Sequence, residues 1–554
     1  MSNSKQISLT CNGENYIIPQ DITLEQALSH VLPRHPLPIA ALVDNVPREM
    51  SFRLRKNSHV IWLDYTGHFG SLIHKRSVTF LLYMAAQRCY PQHRLYVLHS
   101  LDKGLYCELR GEKILGEADW SILEEEMNRL VHAALPISRT EMEKWEAIHF
   151  FSENGMEHKG QLLRTSSITH VPVYRCLGYQ EYLFGLMAIN TSYLSAFKLY
   201  GFDQGFVLAL PNPRDVGFMP SPPQEPKRMQ AILKSYNDWG RLLGVDTVFG
   251  INKSIENNTY NELVLIAESM QQRMLHAICD EIFATFPTVK LLLIAGPSSS
   301  GKTTFARRLG IELRALGLKP LNISLDDYFI DRDDTPLDKE GNFDFESIEA
   351  IDLPLFNEQL AKLVHGEAIE RPLYDFKTGT RMAQMRSCIM APDNILIIEG
   401  IHALNPILTS SIPPEQKKSI YISCLTQLNL DPLVPISSSD NRQLRRMIRD
   451  FRSRNTTPEE TIMRWRSVRR GENKNIFPFQ ENADFYFNSS LIYELPALRP
   501  LIDSHLQKIG PDSPAYPEAQ RLLSLLQHFV PTQPRCIPAH SILQEFLGNS
   551  CFEE

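Results

Sequence analysis

A chain of 554 residues with 43% apolar and 22% charged side chains has the make-up of folded globular protein, and at about 150 residues per domain it predicts three or four domains. Its 57 Lys and Arg against 64 Asp and Glu leave a net charge of −7, which excludes a chain that is basic overall, so nucleic-acid binding would need a local patch. The nine scattered cysteines form no C-x-x-C, so neither a disulfide framework nor a thiolate zinc site is suggested; no leader pattern opens the chain, and apolar runs such as 78–86 fall far short of the roughly 20 residues that span a bilayer, so a reducing cytoplasm and no membrane are expected.

Along the chain, ISLT and YIIP flank the turn CNGEN at 11–15 and predict a hairpin. Thr23 with Gln26 forms a capping box that opens a short helix, and IAALVD and HVIWLDY follow as strands. Residues 1–66 thus read as a small β-grasp domain. A mixed α+β segment, 67–208, begins with a helix over 74–89 and includes an acidic helix near 118–134 and the strands YCELRG and VPVYRC. Residues 209–286 read as a connector, with six prolines between Pro211 and Pro226, followed by helices over 227–244 and 261–286.

From 287 to 490 the pattern alternates β and α. VKLLLIAG, KPLNISL, NILIIEG, SIYISC and FYFNSS are short apolar runs, as expected of strands buried on both faces of a parallel sheet. An α/β domain with helices flanking that sheet is predicted, followed by a helical tail over 491–554.

Gly296-Pro297-Ser298-Ser299-Ser300-Gly301-Lys302-Thr303 fits G-x-x-x-x-G-K-[ST] between a predicted strand and a predicted helix. Glycines let the backbone wrap around phosphate, and the helix N-terminus faces the anion. Lys302 supplies a cation to the transferring phosphate and Thr303 a hydroxyl to Mg²⁺, while Thr304 extends the ATP-binding stretch. Glu399, ending the strand NILIIE, points a carboxylate into the crevice and is the second candidate Mg²⁺ ligand. In SLDDYF an aspartate beyond the second strand can take the proton of an attacking hydroxyl, and Asp326 is preferred to Asp327. Ten arginines lie between Arg442 and Arg470, with Arg442, Arg446 and Arg449 on one helical face. They read as a lid over the γ-phosphate, against a solvated face or an RNA patch with thin aromatic interleaving, Phe451 and Trp465.

These pieces, with NFDFESIEAID (342–352), PLYDF (372–376), IIEGIHAL, RMIRDFRSR (446–454) and Ala483-Asp484, make residues 289–490 resemble the uridine kinase and phosphoribulokinase branch of P-loop kinases. The resemblance implies that Asp326 is the catalytic base, that Asp344 holds ribose hydroxyls, and that Tyr374 lines the nucleoside pocket. It also implies that Arg446, Arg449 and Arg454 are lid arginines on ATP, and that Arg381 lies near the acceptor. Three departures stand out. Where uridine-cytidine kinases carry a base-reading histidine this chain has Gly379, their R-G-R lid becomes Arg454-Asn455-Thr456, and a pyrimidine-contacting Gln-Tyr pair becomes Arg464-Trp465.

The front half resembles threonyl-tRNA synthetase, residues 5–66 its TGS domain and 67–208 its editing-type second domain. Of that domain's H-x-x-x-H pair only His74 remains, because Val78 stands at the partner position, and one imidazole does not hold a metal. A retired pocket is expected there, with His149 and His158 on surfaces. The implied activity is ATP- and Mg²⁺-dependent phosphorylation of a uridine or cytidine 5′-hydroxyl. The alternatives are another sugar, phosphosugar or pantothenate-like alcohol as acceptor, or an RNA-linked regulator that uses nucleotide binding as a switch; a homo-oligomer is possible.

Overall fold

The computed structural model describes residues 6–31, 37–101, 104–211, 220–223, 227–338, 341 and 343–552. Much of the expected proline-rich connector, 212–219 and 224–226, lies outside the described residues, as does Asn342 of N-F-D.

Leu291–Ala295 is apolar at every position and buried on both faces, so it takes the centre of a sheet. Five strands, all paired in parallel, stand in the spatial order Lys319–Ser324, Asn394–Glu399, Leu291–Ala295, Lys417–Ser423, Phe485–Asn488. Helices flank this sheet: Lys302–Ala315 follows its first strand and Leu353–Val364 covers the opposite face. The result is the α/β P-loop kinase fold.

The helices Lys227–Leu242, Val248–Glu256 and Tyr260–Thr285 do more than connect. Val248, Ile251, Val264, Leu275 and Ile282 share one core with Leu292, Ile294, Ile397 and Ile420 of the sheet. Tail helices Glu494–Gln507, Tyr516–Leu526 and Gln544–Leu547 close the same core through Leu495, Leu498, Leu522 and Phe546. Both segments bury apolar stripes that only the sheet can cover.

At the front, Gln6–Cys11 pairs antiparallel with Glu14–Pro19 and parallel with Ser58–Leu63, which continues the sheet through Ala40–Val43 and Val46–Glu49. Thr23 and Gln26 make the expected capping box on Leu24–Leu28. The next module holds a four-stranded and a three-stranded antiparallel sheet. Its long helix is His68–Cys89, starting six residues before the expected position because Gly67 caps it by backbone geometry without a side-chain signal. His74 is buried in that helix against the Tyr65 ring, and burial pushes its pKa down to about 4. His149 is exposed as expected, whereas His158 is half-buried beneath its neighbours.

A buried ion cluster ties this module to the kinase layer. Lys159 pairs with Glu181 at 2.7 Å and with Asp431 of the kinase segment, and donates to the Tyr182 carbonyl at 2.8 Å. Burial alone would lower Lys159, but the two carboxylates outweigh it and hold the ammonium charged. Beside it Val97 N donates to Pro432 O at 2.7 Å and Asn429 Nδ2 to Val97 O at 2.8 Å. Among the described residues no helix is long and apolar enough to cross a membrane.

Candidate active site

The phosphate cradle begins where Leu291–Ala295 ends. At Gly296 a Cβ would come within 1.9 Å of the Ile422 carbonyl oxygen, so only glycine lets the loop pass the neighbouring strand. Gly301 has φ of 82°, the left-handed turn that aims the N-terminus of Lys302–Ala315 into the loop. Inside it, the buried hydroxyls of Ser299 and Ser300 have no hydrogen-bond partner among the described residues. Buried donors without partners at a helix N-terminus suit an anion with several oxygens.

Lys302 Nζ rests on the Pro297 carbonyl at 3.2 Å. Its burial lowers the pKa, against which Glu399, Asp326 and Glu346 act. Glu399 faces Ser324 in register across adjacent parallel strands, so its Oε1 accepts from Ser324 Oγ at 2.7 Å and from Thr303 Oγ1 at 3.3 Å. Burial first, and the Asp326 charge second, push Glu399 up to about 7. A divalent cation held by Thr303 and Glu399 would relieve that repulsion, so the donor set fits Mg²⁺.

Asp326 sits on the turn Leu325–Tyr328 at the carboxyl end of the second strand, its N–H held by Ser324 Oγ at 3.3 Å. It lines a cavity of 1420 Å³ together with Lys302, Glu346 and Tyr374. Asp327 faces away, 3.8 Å from Arg371 Nε, and its burial raises its pKa.

The lid is the helix Ser438–Ser453, continued after a turn by Pro458–Asn475, which Thr457 and Glu460 open with a capping box. Arg446 reaches Ser298 Oγ at 2.7 Å and Asp450 at 3.2 Å; Arg449 binds Asp450 at 2.8 Å. Arg454 lies 3.7 Å from Asp450 and stacks 4.3 Å over the Phe376 ring. All three guanidinium groups line the cavity. Arg442, on the same face, is structural: it donates to Ser298 O at 2.9 Å and to buried Glu472, whose Oε1 also accepts from Ser298 N at 3.1 Å. Arg445 is fully buried on Glu494.

Burial would raise the Asp450 carboxyl, but Arg449, Arg446 and Arg454 outweigh it and hold it well below its ordinary 3.8. A depressed folded value means stability that is complete above the unfolded value and lost progressively as pH falls from there through the folded value. The unfolding free energy should therefore fall steeply below about pH 4, whereas Asp450→Asn should be about 3 kcal/mol less stable at neutral pH and show a shallower acid slope. Denaturant titrations across pH check this, and equal slopes would remove Asp450 from that role.

In the same cavity Phe329, Tyr374 and Phe376 form an aromatic corner with centroid separations of 5.2 to 6.2 Å. Asp344 stands half-buried between Phe343 and Phe345, both of which line the cavity. Arg381 is not brought into it. Its guanidinium donates to Phe329 O at 3.0 Å, Tyr328 O at 3.2 Å and Asp352 Oδ2 at 3.1 Å, which fixes the Asp326 turn from behind. Thr304, expected on ATP, donates its hydroxyl to Glu545 of the tail at 2.7 Å. Glu346, Glu472 and Glu545 are site neighbours that no motif singled out. Only Glu346 carried a signal, its place two residues after Asp344 in N-F-D-F-E.

A glycine cradle at the carboxyl edge of a five-stranded parallel sheet, with arginines of one helix reaching across it, defines a P-loop phosphotransferase. The signature of the Phosphoribulokinase / Uridine kinase family matches residues 291–492. The uridine kinase of Deinococcus deserti is 30% identical over 172 residues, 31% of this chain and 73% of that protein. The uridine kinase of Halalkalibacterium halodurans is 30% identical over 175 residues, 32% of this chain and 74% of that protein. In the N-terminal region the threonine–tRNA ligase of Symbiobacterium thermophilum is 28% identical over 183 residues, 33% of this chain but 28% of the ligase. The chain belongs to the phosphoribulokinase/uridine kinase family, and it is an ATP-dependent phosphotransferase.

Proposed function

We propose that this protein transfers the γ-phosphoryl group of ATP to the 5′-hydroxyl of a pyrimidine nucleoside, uridine or cytidine, in cytoplasmic salvage. The observation that carries the reading is that Lys302, Asp326 and the Phe329/Tyr374/Phe376 corner line one cavity, charged groups suited to phosphate together with planar apolar surface. ATP phosphates lie on the loop from Gly296 to Thr304, where the Ser299 and Ser300 hydroxyls and the helix N-terminus meet their oxygens. Thr303 and Glu399 would hold Mg²⁺, which would supply positive charge against the phosphates. Asp326 accepts the hydroxyl proton as the acceptor oxygen bonds to phosphorus and the bond to the ADP oxygen breaks. Lys302, Arg446 and Arg449 balance charge on the transferring group, and Arg454 closes over the nucleotide. Asp344 would hold the ribose hydroxyls and Tyr374 the base.

One observation favours a second acceptor class. A Cβ on Gly379 would lie 2.6 Å from Arg332 Cζ, so the Arg332 guanidinium fills the space of a residue-379 side chain. It donates to Phe376 O at 3.1 Å and makes no ion pair among the described residues. Arg464 and Lys377 line the same cavity. Such cations suit an alcohol that carries its own phosphate or carboxylate. An ATP-coupled assay over uridine, cytidine, sugar phosphates and hydroxy acids separates the two. Under the nucleoside reading Arg332→Gln leaves the uridine KM within about twofold; under the anionic one it raises the KM of the preferred acceptor about tenfold or more. No turnover with any nucleoside sinks the first reading.

For the front half we propose a TGS-like β-grasp domain and a synthetase-editing-like domain without its metal chemistry, acting as a scaffold. The parallel pairing of the first and last strands of the first sheet, and the burial of His74 against the Tyr65 ring, support it.

A further inference from the structure

The last described turn of the chain reaches into the phosphate cradle. Ile542, fully buried, packs on Gly301, where a Cβ would come within 2.4 Å of its Cγ2. Three residues on, Glu545 Oε2 accepts from Thr304 Oγ1 at 2.7 Å, and its Oε1 lies 4.0 Å from Arg449 NH1. The tail backbone is tied to the same lid helix, Arg452 donating to Phe546 O at 3.1 Å and Glu545 O at 2.9 Å, while Arg445 stacks 5.0 Å from the Phe546 ring.

A carboxylate thus stands at the N-terminus of Lys302–Ala315, between a hydroxyl of its first turn and a lid guanidinium. A hydroxyl donor and a guanidinium beside a helix N-terminus are groups that also suit a phosphate. Unit negative charges at such spacing repel strongly in a site shielded from water. Glu545 is also the tail residue with least apolar reason to be there, since Ile542, Leu543 and Phe546 are already buried without it.

We propose that Glu545 is a self-ligand of the phosphate cradle: its carboxylate occupies the Thr304 end of the site and competes with the polyphosphate chain of the incoming nucleotide. The apolar residues of the tail stay docked, and only the Glu545 side chain has to leave. Because Glu545 also faces Arg449 at 4.0 Å, its departure leaves that arginine with Asp450 as its carboxylate neighbour and the second half of its fork open to the polyphosphate. The apparent affinity is then the intrinsic affinity reduced by the fraction of molecules in which Glu545 has let go.

The proposal rests on the cradle's being a triphosphate site, and titration calorimetry on the full chain tests the two apart. The probes are Mg-ATP and inorganic tripolyphosphate. Glu545→Gln keeps the size and an acceptor for Thr304 but removes the charge, and should bind both probes about five- to tenfold more tightly, with Glu545→Lys at least as tight. Adenosine, which brings no phosphate, should bind wild type and variants alike. Thermal midpoints of the variants report whether the tail stays docked. If Glu545→Gln binds tripolyphosphate no more tightly than wild type, or more weakly, the carboxylate is part of the nucleotide's own site and the proposal is overturned while the kinase assignment stands. If neither wild type nor either variant binds ATP or tripolyphosphate, the cradle assignment falls and this proposal with it.

Discussion

Lys302→Ala should lower turnover about a thousandfold or more, measured with saturating ATP and a confirmed acceptor. The side chain is buried, held on the Pro297 carbonyl, and faced by Glu399, Asp326 and Glu346. It is a cation shared by three carboxylates, Arg446 adding a second beside Glu346, and in the reaction it meets charge that grows on the transferring phosphoryl group. Its removal therefore acts twice. Transition-state stabilisation is lost, and an incoming triphosphate meets a cradle whose balance has shifted toward negative charge. Lys302→Arg is a stringent companion, because a fork of fixed geometry cannot replace a point charge on a flexible stem. Near-normal turnover by Lys302→Ala would end the assignment of this loop to phosphate transfer.

Asp326→Asn should separate binding from chemistry. The amide keeps the size of the side chain and the cap on the Leu325–Tyr328 turn, so the ATP dissociation constant should stay within about threefold while turnover falls by about 10² to 10⁴. Asp327→Asn is the internal control. That carboxylate lies 3.8 Å from Arg371, whose NH1 donates to Asn322 O at 2.8 Å, so its loss touches support beneath the turn and leaves the cavity lining intact. Turnover should change little and stability more. If the two variants exchange these phenotypes, the general base is Asp327.

The parts legible in the sequence are those whose signal is local. The strand, the glycines, Lys302, Thr303 and the following helix lie within a few turns of one another, and Glu399 ends a run of apolar residues at a sheet edge. Thr23 with Gln26 announced its helix in four residues. What stayed hidden is long-range. Glu472 supports Ser298 from 174 residues away, and Glu545 meets Thr304 across 241; each is an ordinary acidic residue on a helix until folding brings it to the loop. Arg381 illustrates the converse. Its position beside the Tyr374 hairpin resembled an acceptor contact, but three oxygens of 328, 329 and 352 hold it outside the cavity. The helices after 227 read as a connector because amphipathic spacing tells which face is apolar and not what covers it. Among the lid arginines, spacing grouped Arg442 with Arg446 and Arg449 correctly, yet only the last two line the cavity.

The cover of the central sheet comes from both ends of the sequence around it, Val264, Leu275 and Ile282 before the first strand and Leu495, Leu498 and Phe546 after the last. During synthesis the P-loop and the lid arginines emerge while one flank of the apolar layer of Leu292, Ile294 and Ile420 still waits for its lining. Excision of 291–492 alone would strip both flanks from that core, and such a fragment should need a chaperone or detergent to remain in solution. The segment that completes this core is also the one that seats a carboxylate beside Thr304.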